Sequence, residues 1–467
     1  MISRERIHSA AQSKIQNGPI KGSENGNRPS GLILSLTVML WLYRLLFLPA
    51  LVVLAPRYLW RMRRRGGYRE RFAQRFGAVP HLPPKRPGLP RIWLQAVSVG
   101  EMLAIAPLVE ALRKENLAEI YLTTTTSTGY RLGADRYSGR TLDVGYFPMD
   151  WWVFSRRAWR RIAPDLVILT EGERWPEHIH QAKLRGVPVI CINARLSDRS
   201  FRRMRSVRAV VQPLLGGITR LLPCSAEDEA RFRELGFPAD RLQTTGNIKL
   251  DVTIPLLDAA ACAQLRAAAG LDSELVLLGS STWPGEEEAL LRVLRDARGA
   301  GLKVSLLLVP RHAERRGSLE PLLRDSGFSF HFRSRGTASG TVDVCVADTT
   351  GELRQLTQLA DLVFVGKSLP PHTEGQTPVE AAALEKPILF GPGMGNFRQI
   401  ARYLQEAGAA KVVRDGNELT AESIALLQDE PRRAAMAAAA RTWHRANQGA
   451  VERTLVLLRE ELAKIRR

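Results

Sequence analysis

Cysteine is scarce in this 467-residue chain, and its four residues, Cys191, Cys224, Cys262 and Cys345, form no CxxC pair. A chain this long needs no disulfide framework to hold its core. The four thiols therefore read as buried and reduced, which puts the folded part in the cytosol. Walker-type phosphate loops are missing, and the glycine run Gly391-Pro392-Gly393-Met394-Gly395 does not fit GxGxxG, so it is assigned a turn. Metal-ligand clusters are missing too. His178 and His180 stand two apart and do not share a helix face, so no metal is expected. There is no repeat of fixed period. RNP-type aromatics and basic-aromatic interleaving are also absent, which ranks nucleic-acid binding last among the function classes.

Acidic residues fall short of basic ones, 47 against 67, for a formal net charge of +20. Such an excess suits a polyanionic partner, namely nucleic acid, an anionic membrane surface or a phosphorylated substrate. It suits a plain arginine-rich surface equally well. Hydrophobic residues at 45% and charged residues at 24% describe a globular chain with a large core, long enough for two or three domains.

Residues 1–30 are polar and read as a disordered leader. Residues 31–65 form an apolar stretch with a basic flank. Leu32 to Ala55 is long enough, at about 24 residues, to span a bilayer. Arg44 near its middle is costly in hydrocarbon, so a monotopic or tilted anchor stays open. Arg57, Arg61, Arg63, Arg64 and Arg65 follow, which places the succeeding domain on the cytoplasmic side. From there apolar strand-like runs alternate with helical stretches. The first series holds Ile92–Val97, Ile120–Thr124, Leu166–Leu169 and Val187–Ile192, with helices over Met102–Arg113 and Trp175–Arg185. The second holds Leu275–Gly279, Val304–Val309, Val342–Val346, Leu362–Val365 and Pro387–Phe390. Alternation of this kind predicts an α/β fold of two doubly wound halves with a cleft at the strands' carboxyl ends. The halves are assigned to 66–248 and 261–440, joined by a linker at 249–260. An amphipathic helix within 441–467 closes the chain and returns to the first half.

Chemistry-bearing residues gather at the expected strand ends. Glu101, in Ala96-Val97-Ser98-Val99-Gly100-Glu101, sits at a helix start, where a carboxylate serves as a general base or as an ordinary helix-terminal acid. Glu171 and Glu173, in Thr170-Glu171-Gly172-Glu173-Arg174-Trp175-Pro176, point the same way if the chain there is extended; capping ahead of Pro176 is the plainer alternative. Lys249, in Thr245-Gly246-Asn247-Ile248-Lys249-Leu250-Asp251, is placed to meet negative charge across the cleft, or is an exposed linker lysine. In the second half, Gly279-Ser280-Ser281-Thr282 and Val309-Pro310-Arg311-His312 close strands. Asp348-Thr349-Thr350-Gly351-Glu352-Leu353 and Gly375-Gln376-Thr377-Pro378-Val379-Glu380 open helices. Helix starts and Arg311 suit phosphate, and Glu380, one turn into its helix, suits ribose hydroxyls; each segment alone is equally a capped turn.

Together the segments AVSVGE, TEGERWPE, INARLSDRS, TGNIKLD, VPRHAER, DTTGEL, FVGKSL and GPGMGNF resemble the 3-deoxy-D-manno-octulosonic acid (Kdo) transferases, from about Leu42 to the C-terminal helix. The resemblance implies a GT-B-like fold of two Rossmann-type domains behind an N-terminal membrane-anchoring helix. It implies Glu101 as proton acceptor, with Glu171 and Lys249 stabilising the transition state. It implies CMP held by Pro310 and Arg311, by Thr350, Gly351 and Glu352, and by Thr377, Pro378, Val379 and Glu380. The implied partners are CMP-Kdo, a lipid A precursor and an anionic membrane surface. The implied place is the cytoplasmic face of the inner membrane, and no cofactor is implied. Where the family reads Gly-Gly-His-Asn-Pro-Leu-Glu, this chain has Gln376 and Thr377, and Lys367 stands in a segment that usually reads Gly-Gly-Ser-Leu. Two alternatives follow from these departures: a GT-B transferase with another nucleotide sugar, and a membrane-tethered homologue with altered catalysis.

Overall fold

The computed structural model describes residues 36–64, 70–172 and 174–466. The predicted leader, Arg65 and Glu173 lie outside the described residues. Six strands form the first sheet: β1 (Arg91–Gln95), β2 (Glu119–Thr124), β3 (Asp143–Tyr146), β4 (Leu166–Thr170), β5 (Val189–Ala194) and β6 (Arg220–Pro223). They run parallel in the order β3-β2-β1-β4-β5-β6. Seven strands form the second: β7 (Leu275–Thr282), β8 (Val304–Pro310), β9 (Phe330–Phe332), β10 (Val344–Val346), β11 (Leu362–Val365), β12 (Ile388–Phe390) and β13 (Ala410–Val412). These are parallel as well, in the order β13-β12-β11-β7-β8-β10-β9. Helices cover both faces, so the central strands β1, β4 and β8 are buried along their whole length, as parallel sheets require. Arg91, at the start of β1, is tolerated there because it bonds to Glu119 at 2.6 Å and to the carbonyls of Ile162 and Pro83.

One helix departs from the sequence expectation. The stretch predicted as a single helix over Met102–Arg113 is two, Val99–Ala104 and Ala106–Lys114, meeting at Ile105. Pro107 has no amide to continue the i→i−4 ladder, so the first helix stops and a second begins.

The chain passes between lobes twice. Ile248–Leu250 is a single 3-10 turn, and helix Ala259–Ala268 already packs on the second lobe through Cys262 and Leu265. Helix Glu430–Asn447 belongs to that lobe, placing Ala440 and Trp443 in its core. Gly449 turns the chain with φ 82°, and helix Ala450–Ile465 crosses back. There it buries Leu455, Leu458 and Leu462 against Ile92, Leu94 and Ile120. Asp251 ties the two crossings together, since its carboxylate accepts the amides of Gly449 at 2.7 Å and Val451 at 2.6 Å. In front of the first lobe lies helix Leu36–Arg64, the one helix among the described residues apolar and long enough to cross a membrane.

Candidate active site

In the first lobe, strand order reverses between β1 and β4, so the loops after these neighbours diverge and leave a crevice. Glu101 follows β1 and Glu171 follows β4. Ser98 caps helix Val99–Ala104, and the Glu101 carboxylate folds back over that cap. It accepts from the Val97 amide at 2.9 Å, from the Ser98 hydroxyl at 3.1 Å and from the Thr170 hydroxyl. Only 8% of Glu101 is exposed. Burial pushes its carboxyl above the ordinary glutamate value and the nearby charge of Glu171 adds to this. The bonds from Thr170 and Val97, and the charge of Lys249, pull part of the way back. The position thus combines helix capping with a proton affinity suited to general-base work.

Glu171 takes a left-handed backbone, φ 53°, and so does Asn193 at the neighbouring end of β5, φ 51°. For a glutamate this conformation costs free energy and is kept where surrounding contacts enforce it. The enforcing contacts are visible. The Glu171 amide donates to Ile192 O, its carboxylate pairs with the Lys249 ammonium, and Asn193 Nδ2 approaches it at 3.5 Å. Asn193 Oδ1 also accepts the Ile248 amide at 3.1 Å, and Asn247 Oδ1 accepts the Lys249 amide at 3.0 Å. Lys249 is therefore held on the crevice, not on a free linker.

In the second lobe the reversal lies between β7 and β11. Ser281 stands near the end of β7, Trp283 follows that strand, and Lys367 follows β11. The Lys367 ammonium sits 4.2 Å from the Trp283 ring centre and 3.4 Å from Glu374. Arg311, just past β8, is exposed and has no acidic partner within ion-pair distance among the described residues. Thr350 and Gly351 are exposed on their loop. Glu352 is bonded by Arg333 at 2.8 Å and by Thr349. Burial acts to raise its carboxyl, and these bonds outweigh that effect and hold it below the ordinary value. Glu380 pairs with Arg354 at 3.6 Å through one oxygen, while Oε2 is buried with no hydrogen-bond partner among the described residues. The two lobes meet around a cavity lined by Arg195, Asn247 and Lys249 on one side and Thr377, Val379 and Phe397 on the other.

A sequence profile described as 3-Deoxy-D-manno-octulosonic-acid transferase (kdotransferase) matches residues 70–252. The 3-deoxy-D-manno-octulosonic acid transferase of Bordetella pertussis is 35% identical over 431 residues, covering 88% of this chain and 98% of that protein. The chain belongs to the Kdo transferase family. The Haemophilus influenzae Kdo transferase is 32% identical over 402 residues, covering 85% of this chain and 92% of its own. A glycosyltransferase structure from Rickettsia africae superposes with a TM-score of 0.52 at 11% identity, covering 80% of this chain and 99% of that one, a likeness of fold alone. The two parallel-sheet lobes are those of a GT-B glycosyltransferase.

Against this Kdo transferase fold, the sequence-predicted residues fall into two groups. Glu101, Glu171 and Lys249 come together on one crevice. Arg311, Thr350, Gly351 and Thr377 lie in loops after second-lobe strands, Glu380 lies in the short helix Val379–Ala383, and Pro310 ends β8. Three expectations need correction. Glu171 is not extended, so the condition for Glu171 and Glu173 to point the same way is not met at Glu171, and Glu173 itself lies outside the described residues. The helices after Glu352 and Pro378 span only Leu353–Leu356 and Val379–Ala383, so they offer first-turn amides without a long helix's dipole. Glu380 is the second residue of its helix, not one turn in. Sequence reasoning missed Asn193, Thr170 and Ser98 as supports. Asn193 stood inside INARLSDRS, and Thr170 immediately precedes Glu171, yet neither residue type announces a left-handed brace or a buried hydroxyl donor.

Proposed function

We propose that this Kdo transferase moves Kdo from CMP-Kdo to a lipid A precursor, lipid IVA, at the cytoplasmic face of the inner membrane. The observation that carries the mechanism is the joining of Glu101, Glu171 and Lys249 at one crevice beside a cavity that Thr377 and Val379 also line. CMP takes the second lobe. Its phosphate meets Arg311 and the loop amides around Thr350 to Glu352 and Thr377 to Val379, and its ribose meets the unpartnered Glu380 Oε2. Glu101 takes the proton from the acceptor hydroxyl, which attacks the anomeric carbon on the side opposite CMP and inverts it. Lys249, oriented by Glu171, faces the negative charge of donor and leaving phosphate. A single phosphate ester leaves, so fixed cations and amides suffice to stabilise it. The test is Glu101→Gln assayed with CMP-Kdo and lipid IVA, the product read by mass spectrometry. Wild-type turnover would remove Glu101 as base.

A second reading, a different nucleotide-sugar donor, is favoured by one observation. Lys367 holds a left-handed backbone, φ 56°, over Trp283 at the second lobe's strand reversal. Thermal protection separates the readings: CMP raises the melting temperature under the first, UDP or GDP under the second.

A further inference from the structure

Arg44 lies within the apolar stretch Thr37–Arg57, yet its guanidinium is turned into the first lobe. It bonds Glu177 at 2.9 and 3.1 Å, and that side chain has no exposure. Tyr43 donates to buried Asp150 at 2.8 Å, and Trp151 Nε1 donates to Arg44 O at 3.2 Å. Met39 and Leu40 are buried, and Tyr43, Arg44, Phe47, Leu51 and Ala55 are half-buried, one stripe at helical spacing. The same helix touches helix Arg208–Leu215 of the first lobe. From Met39 to Ala55 the stripe runs about 24 Å at 1.5 Å per residue, most of a hydrocarbon core's thickness. An upright helix held this way would carry Asp150 and Glu177 into hydrocarbon, where ionisable groups are costly.

The opposite face is open and apolar, with Trp41, Leu45, Leu46, Val52, Val53 and Leu54 exposed. Beside the Arg44 dock, a surface cavity is lined by Arg44, Trp152, Arg156, His180, Leu184 and Arg185, among others. Among the described residues, neither Arg156 nor Arg185 has a carboxylate within ion-pair distance. Burial, then the charges of Arg156 and Arg160, hold the Arg185 guanidinium below its ordinary value. Arg44 is paired with Glu177, and Arg185 Nη1 donates to Gln181 O at 3.0 Å and Oε1 at 2.6 Å. Arg156 and Arg185 still leave two guanidinium groups without a carboxylate next to an open apolar helix, an arrangement complementary to a lipid with a negative head and apolar tails.

We propose that helix Leu36–Arg64 lies in the plane of the membrane surface, and that the Arg156–Arg185 cavity receives the phosphate of an anionic phospholipid headgroup. This rests on the membrane part of the proposed function and is independent of donor and base.

The test uses the full chain carrying Cys262→Ser, with a fluorophore on Leu42→Cys or Val53→Cys in phosphatidylcholine–phosphatidylglycerol vesicles. An in-plane helix gives both labels the same shallow quenching depth. Both labels lying only about 8 Å from the bilayer centre, where an upright Thr37–Arg57 span would put them on either side of the midplane, overturns the in-plane seat. In the second arm, Arg156→Gln weakens binding to these vesicles about fivefold and leaves binding to pure phosphatidylcholine unchanged. Unaltered binding overturns the headgroup site, and an unaltered vesicle affinity with a raised lipid-acceptor KM reassigns the cavity to the acceptor. Release from the vesicles by inorganic phosphate at matched ionic strength, but not by chloride, would make it a free-anion site and overturn the lipid assignment. Failure of the unsubstituted chain to bind any vesicle would instead sink the membrane part of the proposed function.

Discussion

Asn193 accepts the amide of Ile248 at 3.1 Å while its other side-chain atom approaches Glu171. One buried amide thus sets the position of a carboxylate from β4 and of the turn that carries Lys249. Asn193→Leu removes the acceptor and leaves the Ile248 amide unsatisfied, at a stability cost of about 2 kcal/mol. The same change releases Glu171 and Lys249. Turnover is expected to fall by more than about tenfold with the KM for CMP-Kdo little changed. Steady-state kinetics and denaturant unfolding check both parts, and a change confined to stability would make Asn193 a packing residue only.

Glu101 provides a pH test. Its carboxyl is raised, so the acid limb of kcat/KM lies above the ordinary glutamate value, and Glu101→Gln abolishes that limb along with most activity. The stability consequence has a definite sign. A carboxyl raised in the folded state contributes stability in full below its unfolded value, and that contribution is lost as pH rises through the raised value. The melting advantage of wild type over Glu101→Gln therefore shrinks across this window. A constant difference would contradict the raised carboxyl.

The Arg44–Glu177 pair is a buried dock with Arg44 side-chain exposure of 13%. Arg44→Met strands the Glu177 charge and is expected to cost about 3 kcal/mol. The double change Arg44→Met with Glu177→Met restores much of that loss, because an apolar pair needs no compensation. Denaturant unfolding in detergent measures the cycle; additive losses would mean the pair has no coupling.

Asp251 caps the returning helix by accepting the amide of its N-cap residue Gly449 and that of Val451 in its first turn. Asp251→Ala is expected to cost about 1 kcal/mol and to speed proteolysis near Gly449. The helix itself stays docked through Leu455, Leu458 and Leu462. Cleavage times by limited proteolysis check this, and an unchanged rate would show that the cap does not hold the crossing.

Much of the fold was legible because interior parallel strands are buried on both faces and read as unbroken apolar runs. Ile92, Leu94, Leu166 and Ile168 are examples. Four strands escaped that reading: Asp143–Tyr146, Arg220–Pro223, Phe330–Phe332 and Ala410–Val412. All four are sheet edges of three or four residues. An edge strand pairs on one side only, so it can be short and can carry Asp143, Arg220, His331 or Lys411 without burying an unpaired charge. Sequence reasoning, with one helix over Met102–Arg113, missed the break at Ile105, although Pro107 and its missing amide carry a local signal for it. Glu101 was legible as an acid near a helix start, but the start lies at Val99, and Ser98 was missed as its cap.

The sequence by itself determined the alternation of strands and helices, the apolar leading helix and the chemical types available at each strand end, because these depend on neighbours within a few residues. Tertiary structure alone decided which of them meet. Glu101 and Glu171, 70 positions apart, share a crevice only because β1 and β4 are adjacent at the strand reversal. Lys249 joins them only because Asn193 holds its turn. Arg44, a liability inside an apolar helix, becomes a dock only when Glu177 is folded beneath it. Distance in the chain carries no information about such pairings; burial and hydrogen-bond geometry in the folded molecule do.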